Sequence, residues 1–159
     1  MPGDVTGKEP SMRTHSAEET RQLGEWLAGR LKAGDTLLLR GELGSGKSEF
    51  TRGLAKGLGV TETVTSPSFT ILNVYESGRL PLYHFDWYRL EDSGELYELG
   101  MDEYLGGDGI AAVEWPEQCE DAIPEDALEI RFRYVDENTR DLSFRRLGAF
   151  HEIDGVEAI

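Results

Sequence analysis

An α/β domain is predicted, a mixed β-sheet between layers of helix, and three observations predict it. Gly41-Glu42-Leu43-Gly44-Ser45-Gly46-Lys47-Ser48 fits the pattern G-x-x-x-x-G-K-[ST], between a short apolar run and an amphipathic segment. Gly109-Ile110-Ala111-Ala112-Val113-Glu114 is a continuous small-apolar run ending in a carboxylate, as strands read when a parallel sheet buries both their faces. Leu128 to Val135 and Arg140 to Leu147 alternate on either side of Asp136-Glu137-Asn138-Thr139, which reads as a hairpin. Together these specify a three-layer domain of the phosphate-loop (P-loop NTPase-like) kind.

The elements follow in chain order. Residues 1–12 read as a flexible leader without the basic-then-apolar pattern of a secretory signal. Residues 13–150 form the single domain and 151–159 a tail. Ser16-Ala17-Glu18-Glu19 is a capping box that starts a helix running to about Lys32, with Leu23, Trp26, Leu27 and Leu31 inward. Gly34-Asp35 ends it, and Thr36-Leu37-Leu38-Leu39-Arg40 is a buried strand. After the glycine loop, Phe50, Leu54 and Leu58 recur four apart on one helix face. Thr63 to Tyr75 is a loop feeding a strand, Glu76-Ser77-Gly78-Arg79 a turn, and Leu80 to Trp87 an antiparallel partner strand. Ser93 to Leu99 is a short helix stopped by Gly100. In the hairpin, Leu128, Ile130, Phe132 and Tyr134 share the inner face, opposite Arg131 and Arg133.

Composition narrows the function. At 159 residues the chain is long enough for one buried core, and 38% apolar with 30% charged residues is a globular balance. A net charge of −15 repels a nucleic-acid backbone, so any RNA role is read as indirect, through a partner that carries the basic surface. No apolar run is long enough to span a membrane. A single cysteine, Cys119, allows neither an internal disulfide nor a cysteine metal cluster, in keeping with a reducing cytoplasm. Basic residues concentrate late in the chain, at Arg131, Arg133, Arg140, Arg145 and Arg146.

The chemistry centres on the loop. Its glycines let the backbone N–H groups of Leu43, Gly44, Ser45, Gly46, Lys47 and Ser48 curl round phosphate oxygens at the positive end of a helix. Lys47 reaches the β- and γ-phosphates, and the Ser48 hydroxyl is a ligand for Mg²⁺. Such a site needs a further carboxylate at the C-terminal edge of a neighbouring strand. Glu114 is favoured as that ligand, with Asp86 as a carboxylate that either supports the ligand from behind or orients water; which of the two positions the water stays open. Thr65-Ser66-Pro67-Ser68-Phe69-Thr70 offers hydroxyls on a stiffened segment, either a γ-phosphate sensor or a plain turn. His84 reads as a packed strand residue and Trp115 as core or partner contact. The Asn/Thr-Lys-x-Asp segment of guanine readers is missing from the sequence, so the nucleotide is read as ATP.

These segments resemble the TsaE-type ATPases of bacterial tRNA threonylcarbamoyladenosine biosynthesis. The carriers are the loop with Phe50-Thr51-Arg52-Gly53-Leu54, Ser66-Pro67-Ser68-Phe69-Thr70, Tyr83-His84-Phe85-Asp86-Trp87-Tyr88-Arg89-Leu90, Glu95-Leu96 with Leu99-Gly100, and Val113-Glu114-Trp115-Pro116-Glu117. The resemblance spans roughly residues 15 to 135 and implies an ATPase that joins the threonylcarbamoyl-transferring subunit and its non-catalytic paralogue. ATP hydrolysis would then reset the complex for repeated turnovers. It implies Lys47, Asp86 and Glu114 as catalytic, Ser48 and Glu114 on Mg²⁺, Trp115 as a residue associated with activity, and nucleotide contacts near Ala17 and Thr139. Two departures stand out, Ser48-Glu49 where the family has Thr-Thr, and Ser68 where Thr is common. Glu49 brings a carboxylate toward the α-phosphate and is expected to weaken binding unless it turns away. Arg52, Arg89, Arg140 or a partner's arginine could complete the site, so hydrolysis by the chain alone is expected to be slow. Alternative readings are a nucleotide-sensing assembly module without required turnover and a small-molecule kinase. The kinase is disfavoured because Gly94 to Gly107 is acidic and has no basic residue for a lid.

Overall fold

The capping box forms as its residues dictate. Ser16 Oγ accepts the Glu19 N–H at 3.0 Å, and the Glu19 carboxylate accepts the His15 N–H at 2.7 Å. This start fixes α1 (Ala17–Ala28). The structure is a computed structural model that describes residues 10–155. Its strands are β1 (Ser11–Thr14), β2 (Thr36–Arg40), β3 (Leu72–Tyr75), β4 (Leu82–Asp86), β5 (Ile110–Glu114), β6 (Ala127–Tyr134) and β7 (Arg140–Leu147). The other helices are α2 (Lys47–Leu58) and α3 (Ser93–Glu98), with 3₁₀ turns over Met101–Tyr104 and Pro116–Ala122.

All seven strands join one mixed sheet in the order β1-β7-β6-β2-β5-β4-β3. β2 runs parallel to both β5 and β6, and β4 runs parallel to β5. The hairpin β6–β7 and the pairs β1–β7 and β3–β4 are antiparallel. The C-terminal ends of β2, β5 and β4 therefore open on one edge of the sheet, where ligands sit in open α/β folds. One face buries Leu37, Leu39, Leu128, Ile130, Phe132, Leu142 and Phe144 with residues of α1 and α2. The other packs Leu38, Phe85, Val113 and Ala127 with Trp87, Leu96 and Cys119. Helices α1 and α2 meet backbone to backbone. A Cβ at Gly53 would lie 1.8 Å from the Arg21 carbonyl oxygen, and one at Gly24 would lie 2.2 Å from that of Phe50.

Four sequence expectations change. Ser11 and Met12, placed in the leader, pair with Ser143 and Leu142 in β1; the expected leader over 1–9 lies outside the described residues. Helix α1 stops at Ala28 instead of about Lys32, and the Arg30 guanidinium caps the part-buried Trp26 carbonyl at 2.9 Å. Tyr134 is exposed: the core cluster on this face takes in Phe132 and Leu142 but not Tyr134, whose ring is met instead by Arg140 at 4.5 Å. Part of the expected tail packs on the domain: Ile153 is buried and His151 Nε2 lies 2.7 Å from Asp35 Oδ2. Among the described residues, no helix is long and apolar enough to cross a membrane.

Candidate nucleotide site

The loop between β2 and α2 keeps the backbone that its glycines permit. Gly41, Gly44 and Gly46 all have positive φ, at 156°, 81° and 110°. Gly41 is also sterically obligatory, since a Cβ there would meet Ser45 Oγ at 2.6 Å and the Phe132 carbonyl oxygen at 2.8 Å. Gly46 is the N-cap of α2 and offers no side chain to its N–H groups, which leaves them to a ligand. Ser45 Oγ is buried with no hydrogen-bond partner. Lys47 is buried, donates to the Gly41 carbonyl at 2.6 Å and lies 4.3 Å from the centre of the Trp115 ring. Burial pulls its pKa below the ordinary lysine value, opposed by the charges of Glu114, Glu117 and Asp86. Ser48 and Leu43 are exposed on the loop and the first turn of α2.

Register brings the two predicted carboxylates together. Glu114 pairs with Asp86 on β4 and with Leu39 on β2, one residue row from the start of the loop. Both carboxylates are 8% exposed. Burial, and then repulsion from Glu114, raises the Asp86 pKa despite the N–H of Tyr88, which donates to Asp86 Oδ1 at 2.9 Å. Glu114 Oε2 lies 2.7 Å from Nε2 of His84, which is 2% exposed. The backbone beside each acid is forced into the left-handed region. Among the described residues, the non-glycines with positive φ are Trp115 (58°), directly after Glu114, and Ile71 (69°), whose carbonyl accepts the Asp86 N–H at 2.8 Å. Such conformations cost on the order of 1–3 kcal/mol each and concentrate at functional sites.

On the flanks, the loop is met by the neighbours Thr20 and Arg140 rather than by the predicted Ala17 and Thr139 themselves. Ala17 is exposed at the start of α1, and Thr20, one turn on, lies beside Gly46, its Cγ2 3.6 Å from where a Cβ would be. Thr139 is at the hairpin tip, and the next residue, Arg140, donates to the Gly44 carbonyl at 3.1 Å. Arg52 pairs instead with Glu49, and Arg89 stacks on the exposed Phe69 of the hydroxyl segment. In that segment Ser66 and Ser68 hydroxyls bond each other, and Asn73 ties Thr65 to Thr70. Glu49 is turned toward α1, with Arg21 at 2.9 Å and Arg52 at 3.3 Å. Burial works to raise its pKa, but these two cations hold it below the usual carboxylate range. The sequence reading did not find the contact between His84 and Glu114. The period of two in β4 was the available signal, since it puts His84 on the face of Asp86.

A glycine-rich turn from a parallel strand into a helix, with buried lysine and carboxylates at the strand ends, defines a nucleotide-binding phosphate-loop α/β protein. The family model described as "Threonylcarbamoyl adenosine biosynthesis protein TsaE" matches residues 14–142. A Bacillus subtilis protein named "tRNA threonylcarbamoyladenosine biosynthesis protein TsaE" is 42% identical over 146 residues, covering 92% of this chain and 91% of its own. A Treponema pallidum protein of the same name is 38% identical, covering 82% and 96%. The crystal structure of Bacillus subtilis YdiB superposes with a TM-score of 0.77 at 40% identity, over 89% of this chain and 87% of that one. The chain belongs to the TsaE family.

Proposed function

We propose that the chain is the ATP-binding and ATP-hydrolysing accessory protein of tRNA N6-threonylcarbamoyladenosine modification, resetting its complex between turnovers. Its partners on this reading are the threonylcarbamoyl-transferring subunit and that subunit's non-catalytic paralogue, with tRNA met through them, in the cytoplasm. The observation that carries the reading is the meeting of Lys47, Glu114 and Asp86 at the C-terminal edge of β2-β5-β4, beside the uncapped start of α2.

The residues present suit Mg²⁺. The Ser48 hydroxyl and the Glu114 carboxylate are hard oxygen donors that would hold Mg²⁺, and His84 engages one oxygen of that carboxylate, Oε2. Among the described residues no group of three or more His, Cys, Asp or Glu forms a metal cage. Mg²⁺ would be held by one or two carboxylates plus substrate phosphates, the donor type that Ser48 and Glu114 supply. When bound, it neutralises charge on the β- and γ-phosphate oxygens. The chain's own residues do the rest. The N–H groups of residues 43, 44 and 46–48 at the start of α2 hold the phosphates, while that of Ser45 donates to the Glu42 carbonyl at 3.1 Å and fixes the turn. Lys47 moves from the Gly41 carbonyl to a phosphate oxygen and keeps its positive charge against the β- and γ-phosphates. Asp86, more basic than an exposed aspartate, orients the attacking water through its second oxygen. Arg140, already at the Gly44 carbonyl, is the chain's own arginine best placed to meet transition-state charge.

A phosphate-release assay tests this. The purified chain should hydrolyse ATP slowly, and the two partner proteins with tRNA should accelerate it. Equal turnover with and without them, or no release in either case, overturns the proposal.

A further inference from the structure

We propose that His84 is a positioning residue that sets the affinity of the site for its divalent ion by holding the Glu114 carboxylate in one orientation. The inference rests on the reading above that Glu114 is a metal ligand. It starts from the sheet. His84 of β4 pairs with Ala112 of β5 and Asp86 pairs with Glu114, so the four side chains tile one face of two parallel strands. Ala112 carries only a methyl group, which leaves the imidazole room to run diagonally to Glu114. There Nε2 lies 2.7 Å from Oε2. A carboxylate only accepts, so Nε2 carries the hydrogen of this bond.

The other ring nitrogen shows what the contact is for. Nδ1 of His84 is buried with no hydrogen-bond partner, in a ring that is 2% exposed. Packing alone is served better by an apolar residue at this position, which would bury no unpaired nitrogen. The histidine is retained at that cost and makes one polar contact, to the carboxylate at the strand end. A ligand oxygen fixed by a neighbouring N–H loses less rotational freedom when it binds a metal, and such orienting partners set metal affinity by about ten- to a hundredfold. On the other flank of β4, Asn73 pairs with His84 and ties Thr65 to Thr70. The same row of the sheet therefore carries the hydroxyl segment at one side and the orienting histidine at the other.

The test uses the full chain, a non-hydrolysable ATP analogue and Mg²⁺. Calorimetry gives the analogue's affinity in chelator and then the Mg²⁺ concentration at half-maximal enhancement. His84→Phe keeps the bulk and removes the donor; His84→Gln offers an amide N–H where Nε2 stood. The expected result for His84→Phe is unchanged affinity in chelator and a Mg²⁺ midpoint raised by about ten- to a hundredfold, largely restored in His84→Gln. An unshifted midpoint in His84→Phe, or a shift that His84→Gln shares in full, overturns the inference while the wild-type Mg²⁺ response leaves the nucleotide reading intact. A wild-type chain that binds the analogue without any Mg²⁺ response removes the metal from Glu114 and takes both readings down. Failure of both variants to fold, read by near-ultraviolet circular dichroism, assigns His84 to the core and also overturns it.

Discussion

Two regions of the sheet bury charge in opposite ways. At the β6–β7–β1 side, Glu129 is 4% exposed but is met by Arg40 at 2.6 Å, Arg131 at 3.1 Å and Arg145 at 3.9 Å. Nearer the surface, Asp141 receives Arg13 through two bonds and Arg133 through a third. At the β2-β5-β4 edge, Lys47 donates to one carbonyl, Ser45 Oγ and His84 Nδ1 have no partner, and the backbone is strained beside both acids. Buried charge whose partners are all in place rigidifies and specifies a fold, and removing one partner is costly. Buried charge and polar atoms left under-paired mark a candidate binding site.

The comparison breaks most visibly at Lys47. Lys47→Ala should lower phosphate release in the assembled complex by about a hundredfold or more, the scale of removing one transition-state donor. Its thermal midpoint should not fall, because the variant removes a buried and poorly paired cation. A fall in stability with turnover intact would reverse the two regions' roles. Glu129→Ala should do the opposite. Leaving Arg40 without its buried partner should cost about 2–3 kcal/mol, below the full range for buried pairs because Arg40 is also met by Glu117 and Glu120. The melting midpoint should drop by roughly 5–10 °C with nucleotide affinity unchanged.

Cys119 sharpens the contrast from the core. Burial, and then the charges of Asp121, Asp92 and Glu95, pushes its thiol from 9.0 up to about 11. The folded state therefore holds the proton more tightly than the unfolded one. The associated stability is complete below pH 9 and is lost as pH rises toward 11. Alkylation of the native chain at pH 8 should be far slower than in denaturant; equal rates would place the thiol outside the core. The smallest effect is expected at Glu49. With its carboxylate held by Arg21 and Arg52, Glu49→Thr should change ATP affinity by no more than about twofold. A tenfold gain would show that the carboxylate faces the phosphates after all.

Much of this arrangement was legible in the chain because it is local. The capping box at Ser16, the glycine loop, the apolar run ending at Glu114 and the alternation from Leu128 each declare themselves within a dozen residues. What was not legible is decided across the sheet. Ser11 to Thr14 is too short and polar to read as a strand, and becomes one only because β7 offers a free edge. The late arginines have no meaning in the sequence beyond their charge; register sets Arg131 and Arg145 beside Glu129 and Arg133 opposite Asp141. Left-handed backbone at Ile71 and Trp115 runs against the preference of both residue types, so no local signal announces it. For the same reason His84 passed as packing: its partner is thirty positions away on another strand.

Titration calorimetry of the chain with Mg·ATP tests the central claim most directly, that the under-paired charges around position 45 form a nucleotide site. Saturable binding at one site, lost in Lys47→Ala and kept in Glu129→Ala, is the predicted result. No heat of association with the wild-type chain, alone or with its partner proteins, would contradict it.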